Sequence, residues 1–281
     1  MDVPFHLMKA AKDIRLAFFD IDGTLLDSQG QIHSDLYPAM KLLKQAGIKT
    51  AIASGRPYFA AKFLVDELEI NDTGMFCTGA HLYDPFNNQT LFETTLGRAN
   101  ALAIVTIAAE LGLYSEVYTE KAFFVDKVAP IAEVHAAHLR VQPELAELAS
   151  IVQSQSVSKL LLGVNKEEQG DLLSLLEQQF PQQIFARAYL AAYPEWQFAS
   201  VISGLATKRN AFEKLLSHHQ VKAHQVISFG DAESDIDFMR MAGIGIAMGN
   251  ANLNVQTAAD WVTRTANQAG VAYAIQKLFG R

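Results

Sequence analysis

Two aspartates, Asp20 and Asp22, follow an apolar, aromatic-rich run from Ile14 to Phe19 and precede Gly23 and Thr24. Such a run, stopping at acids and a glycine, reads as a buried strand that ends in a polar turn. A second acidic pair, Asp231 and Asp235, follows the expected strand Gln225 to Phe229 and Gly230. Between the pairs lie Ser54 in Ala-Ser-Gly-Arg, Thr78 in Thr-Gly-Ala, and Lys208. Several carboxylates with a hydroxyl and a lysine suit a hard, oxygen-seeking cation and an anionic substrate. Magnesium binds through one or two carboxylates plus substrate oxygen and water, which Asp20 and Asp231 could supply together. With the metal present, a carboxylate can attack phosphorus and split one difficult hydrolysis into formation and breakdown of an aspartyl-phosphate. Asp22, two residues on, could protonate the leaving oxygen and then activate water. Taken singly, each aspartate also reads as a turn former or helix cap, Ser54 as an N-cap, and Lys208 as a solvated lysine.

The elements around these residues place them at strand ends. After the first strand, Leu36, Ala39, Met40, Leu42 and Leu43 recur at helical spacing within Ser34 to Ala46, with Gly47 as a C-cap. A strand over Lys49 to Ala53 then meets Ser54-Gly55-Arg56-Pro57, and Pro57 suits the first turn of a helix reaching Leu68. Gly74 to Cys77 forms a third strand candidate. This β-α-β-α order predicts a doubly wound, Rossmann-like parallel sheet, whose ligand crevice lies outside the carboxyl ends of its strands. From His81 the texture changes. Strands cluster over Tyr114 to Val125, helices are expected over Asn100 to Leu111, Gln142 to Ile151 and Glu167 to Phe180, and further strands over Lys159 to Val164, Ile184 to Ala188 and Trp196 to Val201. The first texture returns with a helix from Thr207 to His218. The α/β core is therefore expected over 1–85 and 196–281, with an α+β domain inserted over 86–195.

The segment Asp20-Ile21-Asp22-Gly23-Thr24-Leu25 resembles the Asp-x-Asp-x-Thr nucleophile motif of the haloacid dehalogenase superfamily. Ser54, Lys208 and Gly230-Asp231 with Asp235 fall where that family's second, third and fourth motifs belong. The insert resembles the type IIB cap of the Cof-like branch, as do Met248-Gly249-Asn250-Ala251 and Gly270-Val271-Ala272. The resemblance implies a magnesium-dependent phosphatase acting on small phosphorylated metabolites such as sugar phosphates or phosphorylated cofactors. It makes Asp20 nucleophile and metal ligand, and Asp22 acid/base and, through its carbonyl, metal ligand. Asp231 and Asp235 complete the metal set, the latter directly, through water or by orienting the others. Ser54 and Lys208 hold phosphoryl oxygens, with Gly23, Thr24, Gly55, Arg56, Thr78, Gly79 and Asn250 lining the phosphate. Two positions depart from the pattern: Ser234 stands where the fourth motif often has Asn, and Thr78-Gly79-Ala80 replaces Asn-Gly-Ala. A phosphomutase or a non-enzymatic phospho-ligand sensor is the alternative.

Composition narrows the partners. Twenty-three Lys and Arg against 30 Asp and Glu leave a formal net charge of −7 with no basic cluster, which argues against nucleic acid. No long uncharged apolar stretch predicts a membrane span, and Met1 to Lys12 does not read as a signal peptide. The single cysteine, Cys77, excludes an internal disulfide and fits a cytoplasmic protein, expected as a monomer or weak homodimer. In the insert, Glu120, Lys121, Glu195 and Trp196 are substrate-contact candidates that nothing separates from ordinary surface or core. His218-His219 reads as solvated.

Overall fold

In the computed structural model, which describes residues 3–188 and 193–280, the apolar runs become strands. The first part of the chain supplies β1 (Leu16–Phe19), β2 (Lys49–Ile52), β3 (Gly74–Phe76), β4 (His81–Asp84) and β5 (Gln89–Glu93). The middle supplies β6 (Tyr114–Tyr118), β7 (Phe123–Val125), β8 (Glu144–Leu145), β9 (Lys159–Asn165), β10 (Gln183–Ala188) and β11 (Trp196–Ser203), and the last part β12 (Val226–Gly230), β13 (Ile244–Ala247) and β14 (Trp261–Val262). The chain divides into two compact units: Met1–Gly55 with Ala61–Leu91 and Thr207–Arg281, and Arg56–Ala60 with Phe92–Ala206.

The first unit is built on a five-stranded parallel sheet in the order β14-β13-β12-β1-β2. Its inner strands are buried throughout and apolar apart from Ser228, because both faces are covered, as parallel sheets require. Phe18 packs against both Phe212 of the helix Lys208–His219 and Phe238 of the helix Ile236–Met241, with Leu16, Ala51 and Val226 in the same cluster. The register sets Phe19 beside both Ile52 and Phe229. The residues that follow those three positions therefore emerge together at one end of the sheet. The third expected strand departs from this pattern. β3 pairs antiparallel with β4 in a separate three-stranded sheet, and meets the end of the β2 segment only through the bridge Ala53↔Met75.

At the back of the unit, His219 is buried and its Nε2 lies 2.8 Å from the Thr73 carbonyl oxygen. Burial holds its pKa below the usual imidazole value, and the carbonyl contact only partly offsets that. As pH falls below about 6.5, the unfolded chain takes up a proton that the native His219 still refuses, so stability drops until the depressed native pKa is reached. Thermal unfolding at pH 7.5 and 5.5 should show a smaller acid-induced drop for His219→Gln than for the unaltered protein. Equal drops in the two would remove His219 from the account.

The second unit carries a six-stranded sheet, β10-β11-β9-β6-β7-β8. On one face, Val117, Leu160, Leu162 and Val201 meet the helices Arg98–Glu110, Leu148–Ser154 and Leu172–Gln179. On the other, Tyr118, Phe123 and Phe198 meet the helix Pro130–Leu139. The expected boundary at 195 cuts this sheet, since β11 pairs along its length with β9 and β10. An amphipathic strand from a core and one from an insert share the same alternation, and only pairing assigns it. Two further readings are corrected. The helix expected over Gln142 to Ile151 is the short strand β8 followed by Leu148–Ser154, preceded by the unforeseen helix Pro130–Leu139, which Pro130 opens at its first turn. The helix expected over Glu167 to Phe180 breaks into Lys166–Gln169 and Leu172–Gln179 at Gly170, whose φ is +59°. No described helix is long and apolar enough to cross a membrane.

Candidate active site

Asp20 leaves β1 at the carboxyl end of the parallel sheet, with its backbone N–H donating to Phe229 O at 3.0 Å. Its carboxylate is buried and accepts from Lys208 Nζ at 3.1 Å. Lys208 opens its helix after Thr207, whose hydroxyl caps it by accepting from Asn210 N at 3.1 Å. A cation at the first turn opposes the helix dipole and has little reason to be buried there. Lys208 is nonetheless only 3% exposed, and its three donors go to Asp20, Ala53 O at 2.7 Å and Asp235 Oδ1 at 2.5 Å. Burial alone would lower its pKa, but the flanking Asp20 and Asp235 carboxylates raise it above the usual lysine value. The ammonium is thus a fixed charge.

The loop after β12 brings the second acidic pair to the same place. Asp235 Oδ2 accepts from Asp231 N at 3.2 Å and Ala232 N at 3.0 Å, which folds the loop back on itself. Asp231 is held by Thr24 Oγ1 at 3.3 Å and Asn250 Nδ2 at 3.3 Å. Asn250 also donates to Gly23 O at 2.9 Å and accepts from Ala266 N at 2.9 Å, so it ties three loops together. One oxygen each from Asp20, Asp231 and Asp235 lie within 4.8 Å of one another.

Such crowding is unfavourable without compensation. Asp20 is pushed well above the usual carboxylate range by burial, against the pull of Lys208, and further by Asp235, Asp231 and Asp22. Asp231 is pushed up to about 6, first by burial and then by Asp235, with Thr24 and Lys208 opposing. One lysine does not balance this set. A compact all-oxygen donor group with surplus negative charge fits a hard divalent cation.

The remaining expected residues divide. Asp22 is half-buried in the turn, bridging to Leu26. Gly23 has φ +76°, and a Cβ there would fall 2.2 Å from Asp231 Oδ2. Gly23→Ala should therefore displace Asp231, lowering stability by about 1–3 kcal/mol and most of the turnover with it; a variant with full activity and unaltered melting temperature would refute this tight fit. Ser54 is buried, its backbone N–H on Met75 O and its carbonyl accepting from Thr78 N, both at 3.0 Å. Gly55 is exposed beside the Thr78 hydroxyl. Thr78 sits at φ 60°, ψ 24°, a left-handed conformation that a β-branched residue rarely adopts and that the usual Asn would take more readily. Gly79 follows, its missing side chain making room for Thr207 O. Arg56 groups with the second unit, where its Nη2 lies 3.5 Å from His138 Nε2. Ser234, the departure in the fourth motif, is exposed. Sequence reasoning missed Ala53 O as a Lys208 partner, because a backbone acceptor leaves no residue signature.

A family model of haloacid dehalogenase-like hydrolases matches residues 17–275. The chain belongs to that family. Among relatives of this haloacid dehalogenase-like hydrolase, phosphatase YwpJ of Bacillus subtilis is 24% identical over 94% of this chain and 100% of its own length. The 5-amino-6-(5-phospho-D-ribitylamino)uracil phosphatase YitU of the same organism is 23% identical over 94% of this chain and 97% of its own. Among solved structures, the HAD subclass IIB sugar phosphatase BT4131 superposes with a TM-score of 0.79 at 25% identity, covering 95% of this chain and 99% of that one. The family makes this chain a hydrolase, and the relatives named above are phosphatases.

Proposed function

We propose that this hydrolase is a magnesium-dependent phosphatase of small phosphate monoesters, sugar phosphates or phosphorylated cofactors, with Asp20 as the nucleophile. The observation that carries the reading is a buried Asp20 carboxylate held by Lys208 at 3.1 Å, inside the acidic triad it forms with Asp231 and Asp235. Asp20 and Asp231, with the backbone carbonyl of Asp22, would hold the cation. When bound, magnesium screens the repulsion between these carboxylates and an incoming phosphate and polarises the phosphoryl group. Both oxygens of Asp235 are engaged by Lys208 and two backbone N–H groups, which favours its role as an organiser of the loop over direct ligation.

In this mechanism Asp20 attacks phosphorus, and the bond to the leaving oxygen breaks as Asp22 supplies that oxygen with a proton. Asp22, now a carboxylate, takes a proton from water, whose oxygen displaces Asp20 from phosphorus and releases inorganic phosphate. Lys208 and Ser54 hold phosphoryl oxygens throughout, and the Lys208 charge is already in place before substrate arrives. The lone, buried Cys77 fits a reducing cytoplasm.

The test is phosphate release from a panel of phosphorylated metabolites, with magnesium and with chelator. Release dependent on the metal supports the reading. Bisphosphate-activated transfer without free phosphate would replace it with a mutase, and tight binding without turnover with a sensor. Thermal unfolding gives a second expectation: magnesium at about 100 times its Kd stabilises by about 2.7 kcal/mol. The melting temperature should rise by several degrees, and Asp231→Asn should abolish the rise. The same rise in that variant would show that the ion binds elsewhere.

A further inference from the structure

Three consecutive residues in the turn between β3 and β4 hold a positive φ: Cys77 at 48°, Thr78 at 60° and Gly79 at 98°. That region is open to glycine but costs free energy at a cysteine, and more at a β-branched threonine. Backbone of this kind persists only where its surroundings over-determine it, and it collects at functional sites. The turn takes no part in the chemical steps proposed above.

Two neighbours fix the turn, both within the first unit. On one side, Ser54 N donates to Met75 O and Thr78 N to Ser54 O, each at 3.0 Å, so both backbone groups of Ser54 are held by the chain that enters the turn. On the other side, Gly79 is buried against the start of the helix Lys208–His219. A Cβ there would fall 2.6 Å from Thr207 O and 3.0 Å from Ala211 Cβ. Thr207 O belongs to the first turn of that helix, accepting from Ala211 N at 3.0 Å, and Lys208 is the next residue. Lys208 Nζ then donates to Ala53 O at 2.7 Å, on the peptide that leads into Ser54. A ring closes: Ser54 to the turn, the turn to Thr207, and Lys208 back to Ala53.

We propose that Thr78 and Gly79 are positioning residues that set the spacing between Ser54 and Lys208, the two groups assigned to the phosphoryl oxygens; this rests on the phosphatase reading above. Two groups on separate elements grip one phosphate only at the right separation, and a misplacement of about 1 Å is enough to lower the rate by a large factor. The left-handed run lets the chain turn under Thr207 without a side chain in the gap, while still presenting the Thr78 N–H to Ser54. A bulkier Gly79 would push Thr207 away and carry Lys208, whose ammonium meets Asp20 at 3.1 Å, out of place. The cation-holding Asp20 and Asp231 follow β1 and β12, and their spacing is set by the ladder between those strands.

The proposal is tested on the unaltered protein, Gly79→Ala and Thr78→Asn by kinetics with p-nitrophenyl phosphate, calorimetric titration with inorganic phosphate and with magnesium alone, and thermal melting. Loss of a hydrogen bond to a charged group corresponds to about a tenfold change. Gly79→Ala should raise KM and the phosphate Kd by about that factor and lower kcat as well, while the magnesium Kd stays within about twofold. A folded Gly79→Ala protein with unchanged KM and phosphate Kd would overturn the positioning role. So would equal weakening of phosphate and magnesium, which marks a general loosening of the site. Thr78→Asn keeps the N–H that Ser54 O accepts and takes the left-handed conformation more readily, so its melting temperature should rise by about 2–4 °C. Its phosphate Kd should stay far closer to the original than that of Gly79→Ala. A lower melting temperature in Thr78→Asn would overturn the strained turn even if Gly79→Ala does not fold. Phosphate binding weakened by Gly79→Ala in a protein that turns over no ester would sink the phosphatase reading and leave the positioning role standing.

Discussion

Asp20→Asn is expected to lower kcat by a factor on the order of 10⁴ or more while leaving the melting temperature within a few degrees of the original. The carboxamide is nearly isosteric but cannot form the acyl-phosphate. It also removes one charge from a site where burial and the neighbouring Asp231, Asp235 and Asp22 already disfavour ionisation. Lys208 keeps Asp235 and the Ala53 carbonyl as partners in the variant. Phosphate release on the best substrate of the panel, with calorimetric melting of the same samples, checks both halves. Undiminished turnover would rule out Asp20 as the nucleophile whatever the stability showed.

Lys208→Met should behave differently, losing stability and turnover together. Methionine fills the volume, but it leaves Asp20 and Asp235 buried without their counter-charge. Breaking a buried ion pair from one side costs about 3–5 kcal/mol, and each kcal/mol lowers the melting temperature by about 2–4 °C in a chain of this size. A fall of about 10 °C is the expected outcome in metal-free buffer. Magnesium should recover part of that loss, since it also offsets the carboxylates, but it should not recover turnover, because Lys208 is assigned to the phosphoryl oxygens. An unchanged melting temperature would mean that the acids are protonated in the resting protein and need no lysine. The contrast between the two variants separates a group retained for chemistry from one that holds the site together.

Much of the core could be read in advance because its strands are buried on both faces. The runs ending at Asp20 and Asp231 are apolar apart from Ser228, and each stops at an acid with a glycine within three residues, a pattern with few structural meanings. The insert was harder for the opposite reason. In Tyr114 to Tyr118 all five residues are buried although two are polar, so hydrophobicity did not mark Glu116 as an interior group. Gly170 is a local signal for the break between Lys166–Gln169 and Leu172–Gln179, and Pro130 for the start of Pro130–Leu139.

The sequence by itself determined the residue types of the site, their order, and the strand ends at which Asp20, Ser54 and Asp231 emerge, because strand periodicity and turn chemistry are local properties. It did not determine which atoms meet. That Lys208 is buried among Asp20, Asp235 and Ala53 O, that Asn250 braces Asp231, and that β11 joins β9 and β10 depend on pairings across tens to hundreds of residues. The tertiary structure decided these because burial, register and charge compensation are properties of neighbours in space. A lysine at a helix start is solvated or fixed according to what the rest of the fold brings to it.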